Sequence, residues 1–301
     1  MEGLVKLSFY SFTAASIALG AALVCYVVYA AGRIRLRQAS LATSTGTTMT
    51  TTTAEFAPGP AAAGRFGTLL AWFALVFQGL AVLLRTIAAG RGPYSNMYEF
   101  SLAFIFAVLL VYLVFERLYE IKQLGPIVLA VAFGMSLYVW SLPTRMREVE
   151  GLNPALQNQP LMTVHVSTAI LAYATFAVAF AAAVLYLIAS RRQTRWLPSP
   201  DMLDDIGYRA VTIGFPMLAL VLILGSIWAH QAWGSYWSWD PKETSALFTW
   251  LIYGIYLHTR SLRGWRGTRS AVILLIGFAA VIFTYYGNYF FGGMHAYGGV
   301  D

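Results

Sequence analysis

Eight predominantly apolar stretches divide this chain, at residues 7–31, 68–84, 97–115, 124–142, 161–189, 210–230, 241–258 and 271–291. Each is close to, or longer than, the roughly 20 residues that cross a bilayer. A backbone in lipid must satisfy its own hydrogen bonds, which leaves helices or closed barrels. The apolar runs are continuous rather than alternating, so helices are expected. Composition agrees: 58% of residues are hydrophobic and 11% charged, whereas soluble domains run near a quarter charged. The expected fold is all-α, a polytopic membrane helical bundle of about eight transmembrane helices, and a soluble globular domain is excluded. The expected organisation is a first transmembrane helix in 1–31, a flexible Thr-rich cytoplasmic linker in 32–67, and a seven-helix membrane core over 68–301. The linker follows from its composition, which buries too little apolar surface to fold.

The net charge of +7 comes from 20 basic and 13 acidic residues. The basic residues cluster at helix ends, as membrane insertion demands. No basic face carries interleaved aromatics outside the apolar runs, so nucleic acid is not an expected partner. Cys25 is the only cysteine, which excludes an intrachain disulfide, a CxxC pair and a CxxCH haem-attachment site. With the N-terminus outside, 14 Lys and Arg fall on inner segments and 6 on outer ones. The positive-inside rule then places both termini, and the 233–243 loop, on the outer side.

That loop reads Trp233-Gly-Ser-Tyr236-Trp237-Ser-Trp239-Asp240-Pro241-Lys242-Glu243. Four large aromatics in seven residues form either an interfacial belt or a platform for a planar apolar ligand. Its end is a helix start in its own right: Asp240 is a good N-cap, Pro241 fits the first helical position and Glu243 completes a capping box. The segment Pro93 to Glu99 holds a second such start at Asn96 and Glu99.

The chain has four histidines. With the spans as above, His165 and His295 share the outer depth of the aromatic loop. Either one alone is more often a polar interface residue; two at matched depth beside aromatics suggest axial ligands for haem iron. His258 ends the seventh stretch, about 27 Å from Pro241 at 1.5 Å per residue. A polar helix terminus and an inner ligand are equally good accounts of it. His230 reads as structural.

The loop resembles the tryptophan-rich WWD segment of the haem-handling proteins of cytochrome c biogenesis. Within that superfamily the chain is most similar to the CcsA/ResC family (CcsB in some lineages) of system II. The similarity covers about residues 68–297 and rests on the WWD segment, Pro93 to Glu99, Leu257-His258-Thr259-Arg260 and Gly293-Met-His295-Ala-Tyr297. It implies haem b held on the outer side by His165 and His295, with Trp233, Tyr236, Trp237, Trp239 and Asp240 around it, and a further haem ligand at His258. It implies a haem transport and presentation subunit of a membrane cytochrome c synthase, which delivers haem for thioether attachment to the CxxCH of apocytochrome c. A ResB/Ccs1-type membrane subunit and apocytochrome c are the implied partners, in a bacterial cell membrane or a thylakoid-type one. Arg85, Arg91, Arg145, Arg147 and Lys242 are candidates to pair with haem propionates. His230 stands where many relatives have Asn, and Ser245 where Trp is common. The competing readings are a haem chaperone without synthase activity, a b-type haem membrane protein, and a transporter without haem.

Overall fold

A computed structural model of the chain describes residues 2–44, 58–149, 151–157, 159–191, 197–262, 265–287, 291 and 293–295. Eight long helices follow one another: α1 (Glu2–Ser44), α2 (Pro58–Ala89), α3 (Met97–Tyr119), α4 (Gly125–Ser141), α5 (Gln159–Arg191), α6 (Pro200–Trp233), α7 (Pro241–Arg260) and α8 (Thr268–Tyr286). Among the described residues there is no strand. Seven of the eight are long and apolar enough to cross a membrane; α7 falls short. Its turns carry Lys242, Glu243, His258 and Arg260 besides several Thr and Tyr residues. The protein is an integral membrane protein with an all-helical bundle.

Two helix ends reach beyond the apolar stretches. α1 continues to Ser44 and α2 begins at Pro58, so helix enters the expected 32–67 linker from both sides. Residues 45–57, which hold most of the Thr-rich stretch, lie outside the described residues. Past Ala31 the chain runs Gly-Arg-Ile-Arg-Leu-Arg-Gln-Ala, mostly good helix formers, and helix propensity does not stop where hydrophobicity does. Pro58 sits where a proline is tolerated, in the first turn. α6 begins ten residues before its apolar stretch, because Ser199 caps it by accepting from the Met202 N–H at 3.3 Å and Pro200 occupies the first turn.

α5 is the central helix, packed against α3, α6 and α8, while α1 and α2 pair with each other beside α3 and α4. Alanines let other helices close on α5: Ala172, Ala174, Ala177, Ala179, Ala181 and Ala182 are fully buried. Helices in lipid gain little from hydrophobic exclusion and associate through such close packing. Phe176 stacks on Tyr253 of α7 at 3.7 Å, with the rings 9° apart.

Polar clusters fasten the helix ends. At the end of α3, buried Glu116 accepts from the hydroxyls of Tyr26 and Tyr112, from Thr68 Oγ1 at 2.6 Å, and pairs with Lys122 at 3.6 Å. This joins α1, α2, α3 and the short turn Lys122–Leu124 that precedes α4. Arg260, at the end of α7, pairs with Asp204 at 2.6 Å and Asp205 at 3.1 Å, and lies over the Tyr208 ring. At the opposite end of α3, Glu99 binds Arg85 and Arg91. That end carries a cavity lined in part by Ser95, Asn96 and Met97.

Candidate functional site

The WWD loop forms because two helix ends are well specified. α6 stops at Gly234, which takes a left-handed φ of 77° and returns its N–H to the His230 carbonyl. α7 starts at Asp240, whose Oδ1 accepts from the Lys242 N–H at 2.9 Å, while Glu243 Oε2 accepts from the Asp240 and Ser238 N–H groups. The expected capping box is present. Between the two ends, Trp239 also has a positive φ of 59°, a strained conformation for a bulky residue.

A cavity of about 150 Å³ lies beneath this loop, and His165, His295 and Trp237 all line it. Tyr94, Asn96, Trp228 and Lys242 complete the part of its wall that bears on the chemistry. The matched outer histidines of the sequence therefore meet on one cavity. The four loop aromatics do not form one flat platform. Trp233 sits edge-on to the His295 ring at 4.9 Å and 80°. Tyr236 stacks on His230 at 4.1 Å, which gives His230 its structural role. Trp239 is 70% exposed and stands at 90° to Trp237. His258 is exposed at the far end of α7 and does not line the cavity.

Asp240 does more than cap a helix. Its Oδ1 also lies 2.9 Å from His295 Nδ1, and its Oδ2 accepts from the Met294 N–H at 2.7 Å. Gly293 makes this approach possible: its φ is 138°, and a Cβ there would lie 2.4 Å from Asp240 Oδ2. Burial works against ionisation of Asp240, but the hydrogen bond and charge of His295 and the N–H groups of Lys242 and Met294 outweigh it and hold the carboxyl at about 2. Burial keeps the His295 imidazole below its ordinary value, and the bond to Asp240 opposes this without reversing it. A carboxylate can only accept, so the bond to Asp240 takes the proton on Nδ1 and leaves Nε2 as the nitrogen for a metal.

His165 is held differently. A Cβ on Gly225 of α6 would lie 2.8 Å from its Cε1, so the glycine leaves room for the ring. Trp228 lies nearly parallel to it, with centroids 6.4 Å apart and planes 13° apart, and also contacts His295 at 5.4 Å. Trp228 is itself buried and donates its Nε1–H to the Ala155 carbonyl at 2.9 Å. The Nδ1 of His165 is buried and has no hydrogen-bond partner among the described residues. A buried nitrogen left unsatisfied is costly, and iron ligation by an imidazole is one way to use such a ring. Two imidazoles, aromatic walls and the basic side chain of Lys242 suit a planar, largely apolar metal complex with anionic groups, such as haem.

The basic candidates also separate. Arg85 and Arg91 are committed to Glu99 at 2.8 and 2.9 Å. Arg147 lies over the Phe9 ring at 4.4 Å, and Arg145 is exposed and does not line the cavity. Lys242 lines the cavity and takes part in no ion pair among the described residues. Trp228 and Gly225 escaped the sequence reading, because an apolar helix gives no signal of which face meets a ligand.

The comparisons agree with this architecture. The family model described as Cytochrome C assembly protein matches residues 94–295, from the cavity wall at Tyr94 to His295. "Cytochrome c biogenesis protein CcsA" of Chlamydomonas reinhardtii is 41% identical over 230 residues, covering 73% of this chain and 64% of that protein. The protein of the same name from Synechococcus elongatus is 34% identical over 272 residues, covering 73% of this chain and 83% of the relative. Among solved structures, "Cytochrome c Heme Lyase CcmF" superposes with a TM-score of 0.59 at 21% identity, covering 92% of this chain and 46% of that one. That likeness is one of fold. Taken with the family match over 94–295, the two CcsA relatives show that this chain belongs to the cytochrome c assembly protein family and is a CcsA-type protein of cytochrome c biogenesis.

Proposed function

We propose that the chain carries haem b across the membrane and presents it at the outer face, as a subunit of a cytochrome c synthase, for attachment to apocytochrome c. The observation that carries this reading is the meeting of His165 and His295 on one aromatic cavity, with Asp240 bonded to His295. In the attachment, each of two substrate thiols adds across a haem vinyl group. One C–S bond forms per vinyl and the thiol hydrogen ends on the neighbouring carbon, so no net oxidant or reductant is consumed. The chain's part is orientation: two imidazoles fix the iron, Trp237 and Trp228 bound the cavity, and Lys242 offers a cation to a propionate. Holding reactants in place is itself a large catalytic contribution.

His258, at the other end of α7, serves as a ligand on the inner side, and a ResB/Ccs1-type subunit completes the synthase. The outer placement of the cavity and both termini follows the distribution of basic residues. Reporter fusions after Thr50 and Val300 should report inside and outside respectively, and matching sides would refute it. The test of function is the haem spectrum of purified protein. His165→Ala or His295→Ala should abolish the bis-histidine signature of the outer haem and cytochrome maturation, with partial recovery in imidazole. An unchanged spectrum and full maturation in the double variant would sink the proposal.

A further inference from the structure

The two imidazoles face one cavity but are backed unequally. His295 donates from Nδ1 to the Asp240 carboxylate at 2.9 Å, and the same carboxylate holds the preceding backbone N–H, that of Met294, at 2.7 Å. Both the ring and its segment are therefore fixed by one buried group anchored at the start of α7. His165 has weaker support: its Nδ1 is buried without a partner among the described residues, no carboxylate backs it, and a backbone contact with Val221 and packing against Gly225 and Trp228 orient the ring.

A carboxylate behind a ligating imidazole fixes its tautomer and strengthens it as a donor, and losing that carboxylate typically weakens metal binding about 10–100-fold. A ligand without that support binds less tightly and leaves first. An apocytochrome whose CxxCH histidine must take an axial position has to displace one of the two. We infer that His295 is the retained haem ligand and that His165 is the one that yields to the histidine of the substrate. The exchange is one imidazole for another: the Fe–N bond to His165 breaks, the bond to the substrate histidine forms, and no electron or proton is transferred. Asp240 is a positioning residue in this scheme, acting through His295.

The inference rests on the proposed haem site, so the experiment must separate the two. The full chain carrying His258→Ala, which leaves the outer site alone in the spectrum, is purified and loaded with hemin. His165→Gly should keep most of its haem, turn five-coordinate, and regain a six-coordinate low-spin spectrum with imidazole or with a Ser-x-x-Ser-His peptide, which cannot form thioethers. His295→Gly should lose haem at least tenfold more readily on dilution into apomyoglobin. Asp240→Asn should move in the same direction and raise the haem midpoint potential. Asn is as good an N-cap as Asp, and circular dichroism checks that α7 remains. Equal haem loss from the two histidine variants, or a tighter site in His295→Gly, would overturn the asymmetry and leave the haem site standing. An unaltered spectrum in both would overturn the haem site itself.

Discussion

Arg85 Nε donates to Glu99 Oε1 at 2.8 Å, and the two side chains are 1% and 0% exposed. The guanidinium also reaches the carbonyls of Arg147 and Glu148, so it pins the segment after α4 to the start of α3. Arg91 occupies the other oxygen of Glu99 at 2.9 Å. Glu99 thus neutralises two cations beside the cavity wall formed by Ser95, Asn96 and Met97. Removing one partner of a buried pair costs about 3–5 kcal/mol because the other charge stays behind. Glu99→Gln strands two cations, whereas Arg91→Ala leaves the Arg85 pair intact. Thermal inactivation in detergent should show a much larger loss for Glu99→Gln than for Arg91→Ala. Equal midpoints would contradict the assignment.

Gly225 tests the cavity from its α6 side. A methyl group there would stand 2.8 Å from the His165 ring, and such overpacking costs about 1–3 kcal/mol. Gly225→Ala should therefore displace the imidazole while the bundle stays folded. The expected readout is a partial high-spin signal from the outer haem that imidazole reverses. A wild-type spectrum would mean that His165 is not held at this spot.

The helices were legible in the amino-acid pattern because lipid imposes a minimum apolar length. Their ends were not, since water-side termini depend on capping and propensity: α1 runs on to Ser44 and α6 starts at Pro200. His165 and His295 were legible through the loop between them. The second role of Asp240 was hidden because a capping box already accounted for it, and its other partner lies 55 residues away. The aromatic loop misled in one respect. Clustering in sequence suggested a single plane, but Trp239 and Trp237 stand perpendicular and Trp233 backs His295.

Among the described residues Lys242 is the basic one that lines the cavity, while Arg85 and Arg91 are paired with Glu99 outside its lining. A propionate there would form a charge-assisted hydrogen bond, worth about 1.5–3 kcal/mol. Lys242→Met should weaken haem retention by roughly tenfold or more, at 1.4 kcal/mol per decade, and Lys242→Arg should recover part of it. Haem with esterified propionates should bind the wild type and Lys242→Met alike. A preference for the free acid that survives Lys242→Met would assign the propionate elsewhere.

His258 and Asp240 stand at opposite ends of α7, 18 residues or about 27 Å apart at 1.5 Å per residue. His165 and His295 line the cavity near Asp240, and His230 stacks on Tyr236 of the same loop. No other histidine of the chain can therefore share an iron with His258. An ionisable residue at the rim of a membrane bundle, exposed and with no side-chain partner among the described residues, is by default a functional group whose partner comes from elsewhere. A bis-histidine inner haem then requires a second polypeptide, and the ResB/Ccs1-type subunit is the one the family reading supplies. The isolated chain should hold inner haem weakly or with mixed ligation, and co-purification with the partner should raise its occupancy. His258→Ala should lower haem at the outer cavity as well, because haem travels from inner to outer side in the proposed function. A monomer that carries two fully coordinated haems and matures cytochrome without a second subunit would refute this.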